Sequence, residues 1–328
     1  MRVSVIIPTV NKTPYLCEAV ESVLKQTCPA FEIIVIDDAA EVPVEKTLAS
    51  YRSKVKIVRP EKPVGVSRAR NIGIQESRGD LVAQIDDDDL WLPQYLERNV
   101  AVFQSDSEIG MVGSYIAEWD ISKNEMVRPV WKGPRGYATV RDIFDYSWPR
   151  PSGVMFRKDA FLSIGGYDPS YTGYEDADIY FRMAKRFRSY FIAEELVHYR
   201  IHPASASHKE LMMAKSGVQF WSRLLQSKPE TIPAYLIGRR LSRQYYRAAR
   251  AAVATDQWKE AFRHTAKALY FCPSVGLLFP TKRSDLFSKA AQYLKPYVAL
   301  CGLGIANLFG GGSVCKWVKP KEEKTVSV

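Results

Sequence analysis

The chain has 328 residues, 46% hydrophobic and 25% charged, which excludes a disordered chain and allows one large core with room for a smaller second domain. Its formal net charge of +10 is unevenly carried: residues 203–328 hold 20 Lys and Arg against 7 Asp and Glu, and residues 1–202 hold 26 against 29. An acidic first part suits cations, and a basic second part suits phosphates or an anionic membrane. In chain order, residues 3–7 are β-branched and apolar and predict a buried strand. After Thr13-Pro14, the apolar positions Leu16, Ala19, Val20, Val23 and Leu24 recur at helical spacing. Residues 31–36 predict a second strand, 44–51 a helix, 55–58 a third strand, 67–76 a helix and 81–85 a fourth strand. Buried strands alternating with amphipathic helices predict a mostly parallel sheet covered on both faces. Such a sheet binds ligands beyond the carboxyl ends of its strands.

The pattern then loosens. A helix is predicted at 95–104, strands at 111–116 and 154–156, a Trp148-Pro149-Arg150-Pro151 loop between them, and a helix at 176–187. From about residue 209 onward only helical patterns occur, broken at Pro229, Pro233, Pro273, Pro280 and Pro296. Ala249, Ala252, Trp258, Ala261, Phe262, Ala268 and Pro273 echo a single tetratricopeptide-like hairpin, and one hairpin is an appendage rather than a solenoid. The division expected is a catalytic domain over 1–208 and a basic helical region over 209–328. Cys17, Cys28, Cys272, Cys301 and Cys315 are scattered with no C-x-x-C pair, which points to a reduced, cytosolic chain without a cysteine zinc site. The opening residues have too short an apolar run for a signal peptide. Residues 297–314 are uncharged, but Gly302, Gly304 and Gly310, Gly311 and Gly312 make a poor membrane-spanning helix.

The residues just past the strands carry the chemistry. They are Pro8-Thr9, then Asp37-Asp38, then Asp86-Asp87-Asp88-Asp89. Four adjacent carboxylates repel unless solvent or a cation relieves them, and an all-oxygen site suits Mg²⁺ or Mn²⁺ rather than zinc. If the run continues the strand, Asp86 and Asp88 share a face as a D-x-D pair able to bind a ribose and a metal-bridged diphosphate. The bland alternative is an acidic surface turn.

Five ordered motifs resemble glycosyltransferase family 2, across about residues 1–208. They are Val3 to Thr9 followed by Asn11, the strand ending in Asp37-Asp38, the Gly65 to Ile74 element with Ala69-Arg70-Asn71-Ile72-Gly73, the segment from Ile85 to Pro93, and Gly165-Gly166-Tyr167-Asp168 followed by Tyr174-Glu175-Asp176. The resemblance implies a GT-A fold, Rossmann-like with a mostly parallel sheet flanked by helices, here carrying a C-terminal all-helical appendage. It implies that Pro8, Thr9, Asn11, Asp38, Arg70, Asp86, Asp87 and Glu175 serve the nucleotide-sugar, that Asp88 and His202 serve a Mn²⁺ or Mg²⁺ ion, and that Asp176 is the catalytic base. Two departures touch base and ribose recognition: Pro63 replaces the usual Asn, and Ala39-Ala40 replaces the usual Gly-Ser. His202, in Tyr199-Arg200-Ile201-His202, reads equally as a solvent-facing histidine. Arg70 reads as a diphosphate ligand or a helix-surface arginine, and Trp148 as an acceptor platform or a packed ring.

Displacing a nucleoside diphosphate from an anomeric carbon needs charge neutralisation on the leaving group and one base for the acceptor proton, and single displacement inverts the centre. No G-x-G-x-x-G follows the first strand and no G-x-x-x-x-G-K-[ST] occurs, which removes dinucleotide and phosphate-loop enzymes. A sugar nucleotidyltransferase lacks its glycine-rich basic loop here. A non-catalytic nucleotide-sugar scaffold stays as the other class. The partners expected are a nucleotide-sugar donor, a UDP-sugar first, a glycan or lipid-linked acceptor, and an anionic membrane face; no nucleic-acid motif appears. Arg239, Arg240, Arg243, Arg247 and Arg250, beside Leu236, Ile237, Leu241, Tyr245 and Tyr246, predict a basic amphipathic helix that could hold the protein peripherally on the cytoplasmic membrane face.

Overall fold

A computed structural model describes residues 1–10, 14–40, 42–127, 133–146, 149–202 and 210–272. The chain divides into two compact units, Met1–Lys209 with Pro229–Ile232, and Glu210–Lys228 with Pro233–Val328. In the first unit β1 (Val3–Thr9) is buried at every position, the mark of a central strand covered on both faces. It pairs in parallel with β2 (Glu32–Asp37) on one side and β4 (Leu81–Gln84) on the other, and β2 pairs in parallel with β3 (Lys56–Val58). The chain therefore builds outward from β1 in one direction and then returns to its other side, so the switch in strand order lies between β1 and β4. Open α/β sheets bind ligands at that point.

Beyond β4 the sheet continues through β9 (Val154–Arg157), β6 (Ile109–Asp120), β10 (Arg188–Ile201) and β5 (Leu90–Trp91). Only β9 and β5 oppose the common direction along this path. The short strands β7 (Glu125–Val127) and β8 (Gly136–Ala138) add antiparallel edges to β6 and β10. The mostly parallel sheet read from the sequence is thus present, with an antiparallel insertion at its centre. Helix α1 (Leu16–Leu24) buries Leu16, Ala19, Val20 and Val23, the stripe set by its helical spacing, in a core shared with β1, β2, β4 and α4 (Tyr95–Ser105). Helix α3 (Val66–Glu76) lies on β1 and β2. A Cβ on Gly73 would come within 2.4 Å of Ile6 Cγ2, so the glycine of the Ala69 to Gly73 element is required by close helix–sheet packing.

The structure differs from the sequence reading in several places. The helix expected over 44–51 is cut short: α2 (Val44–Thr47) gives way to a 3₁₀ turn at Ala49–Tyr51. β6 runs well past the expected 111–116, and β10 was not expected as a strand at all. Its pairing with β6 shifts register between Ile192, Glu195 and Val197, and bulges of this kind erase the period-two signal. β4 ends at Gln84, and residues 86–89 leave the sheet in a turn rather than continuing it. Ala39, at the position where the family usually has glycine, has φ 61°. That left-handed conformation costs an L-residue roughly 1–2 kcal/mol. Helices α5 (Val140–Asp145), α6 (Lys158–Ser163) and α7 (Glu175–Arg186) complete the unit.

The second unit, as described, consists of α8 (Glu210–Gln226), α9 (Ala234–Ala254) and α10 (Trp258–Phe271). α9 packs against both neighbours and buries Ile237, Leu241, Tyr245 and Tyr246, leaving Tyr235, Arg239, Arg243, Arg247 and Arg250 exposed along one stripe. Of the apolar side chains beside the arginines, Ile237, Leu241, Tyr245 and Tyr246 are core residues and are not available for insertion into a bilayer, and Leu236 is half-buried. The repeat-like Ala249, Ala252, Ala261 and Ala268 are buried in the α9–α10 hairpin, whereas Phe262 is exposed. Pro273, Pro280, Pro296, the uncharged run at 297–314, Cys301 and Cys315 lie outside the described residues. Among those described, no helix is long and apolar enough to cross a membrane, and no disulfide joins Cys17, Cys28 or Cys272.

Candidate active site

The switch point brings the strand-end residues together. Pro8 and Thr9 close β1 in register with Ile36 and Asp37, and the Thr9 hydroxyl donates to the Asp87 carboxylate. Asn11 and Trp148 lie outside the described residues. The paired aspartates at the end of β2 have separate tasks. Asp37 is fully buried and accepts from the Ala40 and Val44 amides and from Arg59 at 3.0 Å, so it clamps its own loop. Asp38 accepts the Val64 and Gly65 amides at 2.6 and 2.9 Å, which shapes the turn that opens α3.

The four aspartates each meet a different partner. Asp86 faces Arg70 at 2.6 Å, Asp87 faces Thr9, Asp88 faces His202 Nε2 at 2.8 Å, and Asp89, wholly buried, accepts from the Ser152 hydroxyl at 2.5 Å and the Arg200 amide at 3.2 Å. A turn, not strand alternation, therefore presents the D-x-D pair. Its shape is fixed by residues distant in sequence: Ser152 Oγ also accepts the Asp86 amide and Arg200 donates to the Asp88 carbonyl. Arg200 is itself buried, donates to Glu18, and lies over the Tyr15 and Trp119 rings at 4.4 and 5.3 Å. His202 is buried as well, its ring 5.7 Å from that of Tyr15, so the solvent-facing alternative fails.

The run is electrostatically overloaded. Burial pushes Asp87 up to about 7 against the Thr9 hydrogen bond, with Asp88 and Asp86 adding to the rise. Burial and Asp86 raise Asp88 while His202 opposes them, and burial followed by Asp86 and Asp88 raises Asp89 well above the carboxylate range. Uncompensated negative charge around a carboxylate–imidazole pair is what a divalent cation relieves. Among the described residues no three His, Cys, Asp or Glu side chains already form a ligand cluster. Asp88 and His202 could hold a divalent cation, and the pair fits Mg²⁺ or Mn²⁺, since Mg²⁺ sites commonly complete their shell with substrate phosphates and water, and the imidazole favours Mn²⁺ of the two.

Across from the run stands the N-terminus of α7. Tyr174 caps it at φ 67°, a left-handed conformation worth of order 1–3 kcal/mol of strain at a non-glycine residue, of the sort that clusters at functional sites. The next two residues are Glu175, buried and paired with Arg70 at 3.1 Å, and Asp176, half-buried, whose carboxylate accepts the Ala177 amide at 2.7 Å. Burial and the Glu175 charge push Asp176 up to about 6, with the Ala177 amide, Arg70 and Arg150 pulling it down. Arg70 is not a helix-surface arginine: it is 3% exposed, lies 5.6 Å over the Tyr167 ring and binds Asp86 and Glu175 at once. Next to it, Asn71 exchanges two 2.9 Å hydrogen bonds with the Tyr167 backbone. A Cβ on Gly166 would come within 2.7 Å of the Asn71 side chain, so the third and fifth motifs interlock through these contacts.

Ser152 and Arg200 are functional positions that the sequence motifs do not single out. Arg200 sits inside the Tyr199 to His202 element, whose metal-ligand chemistry lies in the histidine; Ser152 closes a Pro-rich loop and carries no signal of its own.

The acidic turn, the carboxylate–histidine pair and the half-buried carboxylate thus stand together at the switch point of an open, mostly parallel sheet, the arrangement of a GT-A fold. The family model for glycosyl transferase family 2 matches residues 4–165. An uncharacterized glycosyltransferase of Bacillus subtilis, YwdF, is 32% identical over 189 residues, covering 57% of this chain and 70% of that one. The fold resembles TarS residues 1–349 of S. aureus, solved with UDP-GlcNAc, at TM-score 0.64 and 16% identity over 94% of this chain and 92% of that one. It also resembles the mannosyltransferase PcManGT of Pyrobaculum calidifontis, solved with GDP-Man and Mn²⁺, at TM-score 0.58 and 16% identity over 95% and 88%. The chain belongs to glycosyltransferase family 2.

Proposed function

We infer that this glycosyltransferase moves a sugar from a nucleoside-diphosphate donor to a glycan or lipid-linked acceptor with inversion, in the synthesis of a cell-surface polysaccharide or glycoconjugate. The observation that carries the reading is the opposition of two centres around one buried arginine, the Asp88–His202 pair on the donor side and Asp176 on the other. Asp38, Thr9, Asp86 and Asp87 line the nucleotide end. Asp88 and His202 would hold Mn²⁺ or Mg²⁺, which when bound neutralises charge on the leaving diphosphate. Asp176 takes the proton of the acceptor hydroxyl as its oxygen bonds to the anomeric carbon; the bond from that carbon to the diphosphate oxygen breaks with its electron pair, and the nucleoside diphosphate departs. Glu175 is occupied by Arg70, which leaves Asp176 as the base. One base and one displacement invert the anomeric centre. That TarS was solved with UDP-GlcNAc and PcManGT with GDP-Man and Mn²⁺ supports a nucleotide-sugar donor, for which we take a UDP-sugar first, and a divalent cation. A non-catalytic scaffold would not need a half-buried, partly exposed carboxylate beside its donor site. The test is a panel of nucleotide-sugars with Mn²⁺: the matching donor at 100 times its dissociation constant should stabilise the protein by about 2.7 kcal/mol and release nucleoside diphosphate. Binding without any turnover toward water or acceptor would leave the scaffold.

The helical unit is read as an attachment to the anionic cytoplasmic membrane face, near a lipid-linked acceptor. Its support is the exposed stripe of Tyr235, Arg239, Arg243, Arg247 and Arg250, with Phe262 and Tyr270 also exposed on α10. Each basic residue near such a surface contributes about 1 kcal/mol, weakened by salt. Because Ile237, Leu241, Tyr245 and Tyr246 of α9 are core, attraction and not insertion should dominate. The full chain should co-sediment with phosphatidylserine vesicles at low salt and lose most binding at high salt or when Arg239, Arg243 and Arg247 become Gln. Equal binding to neutral vesicles would contradict this attachment.

A further inference from the structure

The arginine of the third motif is poorly placed to act as a simple phosphate ligand. Its two terminal nitrogens are already committed, one to Asp86 at 2.6 Å and the other to Glu175 at 3.1 Å. A guanidinium this deeply buried is strongly destabilising without anionic partners, and the two carboxylates more than offset the burial that would otherwise lower its proton affinity. The partners come from opposite ends of the reaction. Asp86 begins the acidic turn that meets the donor, and Glu175 is the covalent neighbour of Asp176. The support is rigid: Tyr167 lies under the guanidinium and bonds Gln84 at the end of β4, and Asn71 holds the Tyr167 backbone. The Arg70 Nε is buried with no hydrogen-bond partner among the described residues.

We propose that Arg70 is a positioning residue that links the two ends of the reaction, sharing one cation between the Asp86 carboxylate on the donor side and the Glu175 carboxylate beside the base. The inference rests on the reading of Asp176 as the base. Whatever draws Asp86 away from Arg70 when a donor binds leaves the cation more fully to Glu175, and so favours the ionised, proton-accepting form of Asp176. The groups that act on Asp176 are Glu175 and Tyr180 on its own helix, Arg70 on α3, Arg150 before β9 and Tyr167 in the preceding loop. Arg70 and Arg150 are the cations in that set.

The experiment compares pH profiles of kcat/KM for wild type, Arg70→Gln, Arg70→Lys, Glu175→Gln and Asp176→Asn, with folding checked by Tm. An opposite charge within about 4–6 Å lowers a carboxyl by roughly 1–3 units and a like charge raises it. Arg70→Gln should therefore move the acid limb up by about one unit, a roughly tenfold loss below the limb that shrinks as pH rises. Glu175→Gln should move it down, and Arg70→Lys should restore it toward wild type. Opposite shifts from the two neutralising variants are the signature that a merely structural role would not give. A uniform loss at every pH with the limb unmoved would overturn the proposal. Should Arg70→Gln fail to fold, the direction of the Glu175→Gln limb decides alone. If instead Asp176→Asn keeps its activity, the base assignment has failed, and the two failures are distinguishable.

Discussion

Asp176→Asn is expected to bind donor and Mn²⁺ as wild type does and to lose about 10²- to 10⁴-fold in kcat, the range for removing a general base. The amide keeps the shape and the hydrogen bond from the Ala177 amide, so folding should be unaffected. The sign of the pH dependence follows from the environment. Burial and Glu175 raise the Asp176 carboxyl to about 6, and a base must be unprotonated to act, so wild-type kcat/KM should fall on the acid side of about pH 6 and level off above it. The variant's residual activity should show no such limb. A near-wild-type kcat in Asp176→Asn would move the base elsewhere, with Glu175 the first to test.

Asp88→Asn should have the other large effect. Loss of the carboxylate partner of His202 would remove one of the two proposed protein ligands, and charge stabilisation of a leaving group worth several kcal/mol corresponds to roughly a 10²-fold or greater loss of turnover. Here binding fails along with chemistry. Wild-type Tm should rise with added Mn²⁺, as expected of any ligand that binds only the folded state, and the variant's should not. Without metal the variant should be at least as stable as wild type, because it relieves a run in which Asp88 raises both Asp87 and Asp89. Undiminished turnover of the wild type in excess chelator would contradict the metal requirement.

The two effects separate because the sequence elements that carry them fold by different rules, and that also decides what could be read in advance. The strands around β1 were legible because full burial makes them continuous apolar runs, and α1 because Leu16, Ala19, Val20 and Val23 obey one helical period. β10 was not, because its shifts around Glu195 break the alternation that marks a strand. The aspartate run was legible as a site by its place after β4, but its geometry was not. Whether Asp86 and Asp88 share a face depends on a turn held by Ser152 and Arg200, residues 66 and 112 positions away. Arg70 is the clearest case. Local sequence places it on a helix, and only tertiary folding supplies Glu175, 105 residues on, to convert a candidate phosphate ligand into a buried bridge.

Single displacement by one base opposite a metal-assisted leaving group fixes the stereochemistry of the product. The decisive measurement is the anomeric configuration of the first product, followed by NMR from the start of transfer with the donor that the panel identifies. Single displacement gives a product of opposite configuration to the donor, formed without a covalent glycosyl-enzyme. A product that retains the donor's configuration would contradict it.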